Sequence, residues 1–399
     1  MKRIADHNPV VEALGRPLRL GVTGGGAGSF IGPIHRSAAT LDRRFEVVAG
    51  VLSSDRQRSM AQGVEIGLDR QRAYGSVDEM IEHEAALGSS GIDAVAVMTP
   101  NDRHCPDSSA ALGAGLHVIC DKPMANSVAE ARALNVLVSQ TGKVFCLTHN
   151  YSAYPMVRQA RAMVEAGLLG DLRIVQVEYF QGGMALPVEH GALTPKLRWK
   201  FDRSRSGPSL VLGDIGTHAH HLACFVCCDQ VAAVAADIGA LVPTRQFDDY
   251  AGMLWRFRHG ARGSCVVTQA AAGAENNLIL RVYGEKGMLE WQHLTPNYLR
   301  HAPLGEAVRT LGRGDANLAP EAERACRIAR GHPEGFRESF ATLYADFAEA
   351  IVAQMTGIPA DPYACWFPSA ADGLHGALFI EAALRSSNQG GAWVHCDAS

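Results

Sequence analysis

The run Arg19-Leu20-Gly21-Val22-Thr23 passes straight into Gly24-Gly25-Gly26-Ala27-Gly28-Ser29-Phe30-Ile31-Gly32, and no other stretch restricts the fold so tightly. A β-leaning segment turns through glycines into a helical pattern, with Ile31, Ile34, His35, Ala38 and Leu41 at helix-like spacing. In that order the glycines permit a tight turn, and bare backbone lets a pyrophosphate approach the amino end of a helix. Gly24, Gly26, Gly28, Phe30 and Ile31 are therefore candidate cofactor contacts. Five residues separate Gly26 from Gly32, so a strict G-x-G-x-x-G cannot be written and the loop is longer than usual. A merely flexible glycine loop is the competing reading.

A second β-leaning segment, Phe45 to Leu52, arrives about twenty residues after the glycines, where a dinucleotide domain handles the adenosine ribose. A site for NAD usually ends that strand with an acid; here the chain reads Ser53-Ser54-Asp55-Arg56. Ser53, Ser54 and Arg56 suit a 2′-phosphate, so NAD(P) is expected with a lean towards NADP. In the alternative, Asp55 caps a helix and the arginines face solvent. Segments Ile92 to Met98, Leu116 to Cys120 and Lys143 to Thr148 follow, separated by helical stretches, which predicts a Rossmann-type, doubly wound parallel sheet over residues 1–150. Ligands bind beyond the carboxyl ends of such strands. Thr99, Pro100, Asn101 and His104 stand after one strand, and Asp121-Lys122-Pro123 after another.

From Tyr151 the pattern changes. A helix over Met156 to Ala166 precedes β-leaning segments at 172–180, 231–238, 252–258, 261–270, 278–283 and 287–291. Short turns between them predict an α+β domain over 151–399 with a large, mainly antiparallel open sheet. Residues 305–333 read as a loop with short helices, and 336–355 and 368–386 as helices that pack back on the first domain. A length of 399 residues suits two such domains. With 47% hydrophobic and 20% charged residues and a net charge of −4, the chain reads as globular without the basic footprint of a nucleic-acid or anionic-membrane binder. No apolar run reaches membrane-spanning length, the first residues lack a signal-peptide core, and the ten cysteines are scattered. A cytoplasmic protein is expected.

In the second half, Leu212-Gly213-Asp214-Ile215-Gly216-Thr217-His218 sets an acid and an imidazole four residues apart. If a helix starts near Asp214, both fall on one face, where the acid can orient the histidine for proton transfer. The competing role for Asp214 is a helix cap. Lys122, Asp214 and His218 beside a dinucleotide site point to hydride transfer. Removing hydride from an alcohol needs a base for the hydroxyl proton and a positive group for the developing alkoxide. Asn150, Tyr151, Arg158, Trp199, Lys200 and His221 are candidate neighbours of the substrate. His218, His220, His221, Cys224, Cys227 and Cys228 contain a Cys-x-x-Cys, yet they lie on one helical run that would spread the ligands around its axis. Buried thiols, with no metal, are the expectation.

These residues resemble the Gfo/Idh/MocA oxidoreductase family, which includes glucose–fructose oxidoreductase, inositol 2-dehydrogenase and rhizopine-catabolism proteins. The resemblance is carried by Ile31-Gly32-Pro33-Ile34-His35, Thr99-Pro100-Asn101 with His104, Lys122-Pro123, Trp199-Lys200, Gly213 to His218 and Gly284-Glu285-Lys286-Gly287-Met288-Leu289. The family commonly has Glu-Lys-Pro where this chain has Asp121-Lys122-Pro123. The long glycine loop and Ser206-Gly207-Pro208-Ser209 look most like the subgroup containing levoglucosan dehydrogenase. The resemblance implies an NAD(P)-dependent enzyme acting on a secondary hydroxyl of a sugar, anhydrosugar, glycoside or cyclitol. It assigns catalysis to Lys122, Asp214 and His218, the first also touching cofactor and substrate, and implies a homodimer or homotetramer. The alternatives are a reductase of an imine, enone or cyclic diol on the same scaffold, and a dinucleotide-binding protein without catalysis.

Overall fold

A computed structural model describes residues 3–191 and 195–397, in two compact units. One takes in Lys2–Asn150 and Phe336–Leu374, the other Tyr151–Gly335 and His375–Ser399. The first is built on strands β1 (Leu18–Gly24), β2 (Phe45–Val51), β3 (Ala94–Met98), β4 (His117–Cys120) and β5 (Phe145–Leu147). They pair in parallel in the order β2-β1-β3-β4-β5, the doubly wound sheet expected. β3 and β4 are buried along their whole length, as strands covered on both faces must be.

Local chemistry sets the boundaries of the intervening helices. Ser127 caps the helix Val128–Thr141 by accepting the Glu130 amide at 3.2 Å, while Glu130 reaches back to the Asn126 amide at 3.0 Å. Gly142, with φ of 66°, ends it in the left-handed region. The helix Phe336–Thr356, distant in sequence, belongs to this unit. Its Tyr344 hydroxyl lies 2.8 Å from His35 Nδ1, its Phe347 stacks on Phe45, and its Glu349 pairs with the buried Arg44.

In the second unit the strands are β6 (Leu172–Gln181), β7 (Val231–Gly239), β8 (Tyr250–Phe257), β9 (Arg262–Thr268), β10 (Asn276–Gly284), β11 (Gly287–Gln292), β12 (Tyr298–Pro303), β13 (Arg309–Gly312) and β14 (Val394–His395). Their order is β13-β12-β11-β10-β6-β9-β8-β7-β14, antiparallel except where β6 meets β9. Val175, Val177 and Tyr179 alternate on the inner face of β6 and join the core formed with the helices Pro155–Glu165 and Thr217–Cys227. Residues 305–333 are more ordered than a loop. They contain β13 and the helix Pro320–Arg324, gathered around Arg313, which donates to the carbonyls of Ile328 and Ala329 at 2.7 and 3.1 Å and pairs with Glu334.

His117 couples the first unit to pH. Its Nδ1 accepts the Val144 amide at 3.0 Å, which requires that nitrogen to be unprotonated, and burial pushes its pKa from 6.5 down to about 4, with Lys143 adding to the effect. The unfolded chain takes up a proton below 6.5 that the fold refuses until about 4. The stabilisation is therefore present in full above pH 6.5 and is lost as pH falls towards 4, with a slope of at most about 1.4 kcal/mol per pH unit. In urea titrations, His117→Gln is expected to flatten the fall in stability between pH 6.5 and 4.5; an unchanged slope refutes the assignment.

Candidate functional site

At the carboxyl ends of the first unit's strands, the glycine loop is set by close backbone approaches. A Cβ on Gly24, whose φ is 77°, would lie 2.6 Å from the Met98 carbonyl, and one on Gly26 2.2 Å from the Leu52 oxygen. The extra residues are absorbed by a turn in which the Ser29 amide meets the Gly26 carbonyl at 3.0 Å. Ser29 Oγ then accepts the Gly32 amide at 3.1 Å at the start of the helix Ile31–Leu41, with Phe30 at the cap position and exposed. Gly28 has φ of 78°, and a Cβ there would meet open space. Bare backbone, a helix amino end and open space beside Gly28 fit a pyrophosphate.

Beyond β2, Asp55 caps the helix Arg56–Glu65, accepting the Arg58 amide at 2.8 Å. Ser53 Oγ accepts Arg58 Nε at 3.0 Å, Ser54 is exposed, and Arg56 is bidentate on Glu79 at 2.6 and 2.7 Å. After β3, Pro100 precedes the helix Asn101–Gly113. Buried His104 faces the Thr99 carbonyl through Nε2 at 2.8 Å and the Pro123 carbonyl through Nδ1 at 2.7 Å, tying this helix to the turn after β4. Asp121 shapes that turn. Its Oδ1 accepts the Lys122 amide at 2.9 Å and the Thr148 hydroxyl at 2.8 Å, so the shorter acid braces the lysine's backbone. Asn150 is buried, with its amide on Ser339 Oγ at 3.0 Å.

The second unit carries the acid and the imidazole. Helical backbone begins at Leu210, earlier than expected, and Asp214 lies inside a π-helical turn, Leu212–Gly216, ahead of the α-helix Thr217–Cys227. The expectation of a helix starting near Asp214, with Asp214 as its possible cap, is corrected. Ser209 Oγ accepts the Leu212 amide at 3.1 Å, and Asp248 accepts the amides of Leu210 and Val211 at 3.2 and 2.9 Å, so the first donors are met upstream. The wider turn shifts the register between Asp214 and the helix bearing His218.

Asp214 Oδ2 accepts two donors, Lys200 Nζ at 2.6 Å and Gln269 Nε2 at 2.8 Å. His218, largely buried, meets the edge of the Tyr151 ring with centroids 4.9 Å apart. The Tyr151 hydroxyl is 2.7 Å from that of Tyr179 and accepts from Asn276 Nδ2 at 3.3 Å, and burial pushes both phenols up. Tyr151 thus uses its hydroxyl within the protein. Trp199 is half-buried in the short turn that carries Lys200, Arg158 is fully buried, and His221 is buried against Phe225. Among the described residues no three His, Cys, Asp or Glu side chains gather as a metal site. His220 stacks on Phe379 at 4.3 Å, and burial pushes the Cys227 thiol well up.

Sequence reasoning missed Gln181, Gln269 and Asn276, which stand at one end of β6, β9 and β10, and the β7–β8 loop. Polar amides where alternating strands end are the available signal. In the loop, Arg245 has no exposed side-chain surface and spends its donors on the Met184 and Leu186 carbonyls and on Glu189 and Asp249, all at 2.8–3.1 Å. Its neighbours hold the segment leading to Asp214. Thr244 meets His190 at 2.9 Å, and Gln246 and Phe247 hold Arg203, whose guanidinium sits 4.8 Å from the Phe247 ring. The loop is a clamp on both flanks of Lys200. Arg245→Met strands two carboxylates and is expected to cost about 3–5 kcal/mol and to speed proteolytic cleavage within 184–208. Unchanged cleavage with a lowered melting temperature would show that the clamp is only a core contact.

Two family models match the chain. Residues 18–149 match an oxidoreductase family with an NAD-binding Rossmann fold, and residues 157–290 match the GFO/IDH/MocA C-terminal domain. An uncharacterized oxidoreductase, YfiI of Bacillus subtilis (strain 168), is 33% identical over 384 residues, which is 96% of this chain and 97% of that protein. Levoglucosan dehydrogenase of Pseudarthrobacter phenanthrenivorans is 27% identical over 299 residues, 69% of this chain and 74% of its own. An inositol dehydrogenase homolog from Azotobacter vinelandii, solved with NADH and myo-inositol, superposes with a TM-score of 0.87 at 35% identity, covering 95% of this chain and 98% of that one.

Proposed function

Because the chain belongs to the Gfo/Idh/MocA family of NAD-binding oxidoreductases, we propose that it oxidises a secondary hydroxyl of a sugar, anhydrosugar, glycoside or cyclitol. The names of the levoglucosan dehydrogenase and of the inositol dehydrogenase homolog support that substrate class. The single observation carrying the assignment is the Asp214 turn, where one carboxylate receives Lys200 and Gln269 immediately before the helix of His218.

Bound nicotinamide supplies the hydride acceptor. His218 takes the hydroxyl proton as the C–H pair leaves as hydride, and returns it in the reverse direction. Lys122 donates to the same oxygen and steadies its developing charge. Asp214 fixes the imidazole or binds a neighbouring hydroxyl. Tyr151 lends its ring rather than its hydroxyl, and Trp199, Lys200 and His221 border the substrate. The glycine loop, Thr99, Pro100, Asn101 and Asp121 border the cofactor. In this reading residues 1–150 serve the dinucleotide and 151–399 the substrate and assembly into a homodimer or homotetramer, in the cytoplasm. No described helix is long and apolar enough to cross a membrane. Against a panel of monosaccharides, anhydrosugars, glycosides and inositols, a nicotinamide absorbance assay is expected to find turnover that falls at least tenfold in Lys122→Ala and in His218→Ala, with circular dichroism unchanged. Near-normal rates in either variant would remove that residue from the mechanism.

The finer proposal is that NADP(H) is accepted and preferred. Ser53 and Ser54 replace a strand-ending acid, and Arg58, on the Ser53 hydroxyl, brings positive charge beside it. Arg56 contributes only by leaving Glu79. Ser53→Asp places a carboxylate where a 2′-phosphate would lie and is expected to shift the ratio of NADP+ to NAD+ dissociation constants at least tenfold towards NAD+. An unmoved ratio overturns the preference.

A further inference from the structure

The orientation of the Gln269 amide is set by its two acceptors. Its Nε2 donates to Asp214 Oδ2 at 2.8 Å and to Gln181 Oε1 at 3.2 Å, which leaves its buried Oε1 without a protein partner. The orientation persists because turning the amide over would set that oxygen against a carboxylate. The charge of Asp214 therefore decides how Gln269 points.

From Gln269 the direction of every further hydrogen bond follows. Gln181 accepts with Oε1, so its Nε2 is the donor to Asn276 Oδ1 at 2.6 Å and to the Tyr179 oxygen at 3.3 Å. The Tyr179 proton goes to Asn276 Oδ1 at 2.8 Å, so the 2.7 Å contact between the phenols has Tyr151 donating. Asn276 Nδ2 completes the circuit by donating to the Tyr151 oxygen at 3.3 Å. Tyr151 is pinned by its hydroxyl, and its ring stands edge-on to His218.

We propose that Gln269 is a positioning residue: it fixes the Asp214 carboxylate and, through Gln181 and Asn276, holds the Tyr151 ring that seats His218. The inference rests on the assignment of Asp214 and His218 given above. It adds a residue that touches neither substrate nor cofactor and acts through others. Among the described residues, the charged and titratable groups near Asp214 include Lys200 on the turn 199–201 and the phenols of Tyr151 and Tyr179.

Two variants of the full-length protein separate this role from general structural support. Gln269→Leu removes the donor. Gln269→Glu keeps the shape, opposes Asp214 when ionised and donates to it when protonated. With an active substrate, Gln269→Leu is expected to lower kcat at least tenfold with the cofactor dissociation constant unchanged, and the loss does not shrink as pH falls. Gln269→Glu is expected to regain activity relative to wild type as pH falls. A readout independent of turnover is the carbon-13 carboxyl signal of Asp214, assigned with Asp214→Asn. Its titration should move to higher pH in Gln269→Leu, because a donor to the charged form is gone. If wild type oxidises no polyol, the functional reading fails while the carboxyl titration still tests the positioning. The proposal is overturned if kcat and the Asp214 titration both stay put in Gln269→Leu, or, should that variant not fold, if Gln269→Glu shows a flat profile relative to wild type.

Discussion

A carboxylate in a partly enclosed turn must be met by donors, and much of the second unit is arranged to meet that of Asp214. Lys200 and Gln269 converge on one oxygen from a short turn and from the end of a strand. Each needs its own support. The lysine's segment lies between residues held by the β7–β8 loop, and the glutamine passes its constraint to Gln181, Asn276 and the two tyrosines. The π-helical turn fits the same scheme, since Ser209 and Asp248 satisfy the first amides and leave Asp214 to serve as an acceptor for side chains.

The first unit applies the same logic to backbone. The glycine loop, the Thr99 region and the Asp121-Lys122-Pro123 turn all follow carboxyl ends of parallel strands, where crossover connections leave carbonyls and amides to be matched. His104 lies between two carbonyls, and Asp121 accepts from an amide and a hydroxyl. Substituting Asp for the family's usual Glu leaves a carboxylate that reaches the adjacent amide, so the lysine's backbone is braced within the turn itself.

What was legible in the sequence was whatever local chemistry decides. The glycine-to-helix transition and the β-leaning segment at 172–180 follow from residues within a few positions of one another. What was not legible depends on partners supplied by the fold. Arg56 read as a phosphate ligand because Glu79, on another helix, is invisible as its partner in one dimension. That the Tyr151 hydroxyl is taken up within the protein was not legible, because the register that sets Asn276 opposite Gln181 is a property of the sheet. Residues 305–333 lacked a pattern because a single buried guanidinium, Arg313, organises them through backbone carbonyls that any sequence provides.

The groups assigned to proton transfer and the groups that border a substrate rest on different kinds of support, and that difference bears on specificity. His218 sits on a buried helix and Lys122 follows a buried strand, so a change near either disturbs a packed core. Trp199 and Lys200 belong to short turns whose position is set by one loop, through hydrogen bonds and ring contacts with Thr244, Arg245, Gln246 and Phe247. Changing that loop moves the segment of Trp199 and Lys200, and through Asp248 it also reaches the amides of Leu210 and Val211 at the start of the helical run. In the proposed reading, residues 241–249 set both the segment of Trp199 and Lys200 and, through Asp248, the start of the helical run that carries Asp214, while the helix of His218 and the strand before Lys122 keep their own packing.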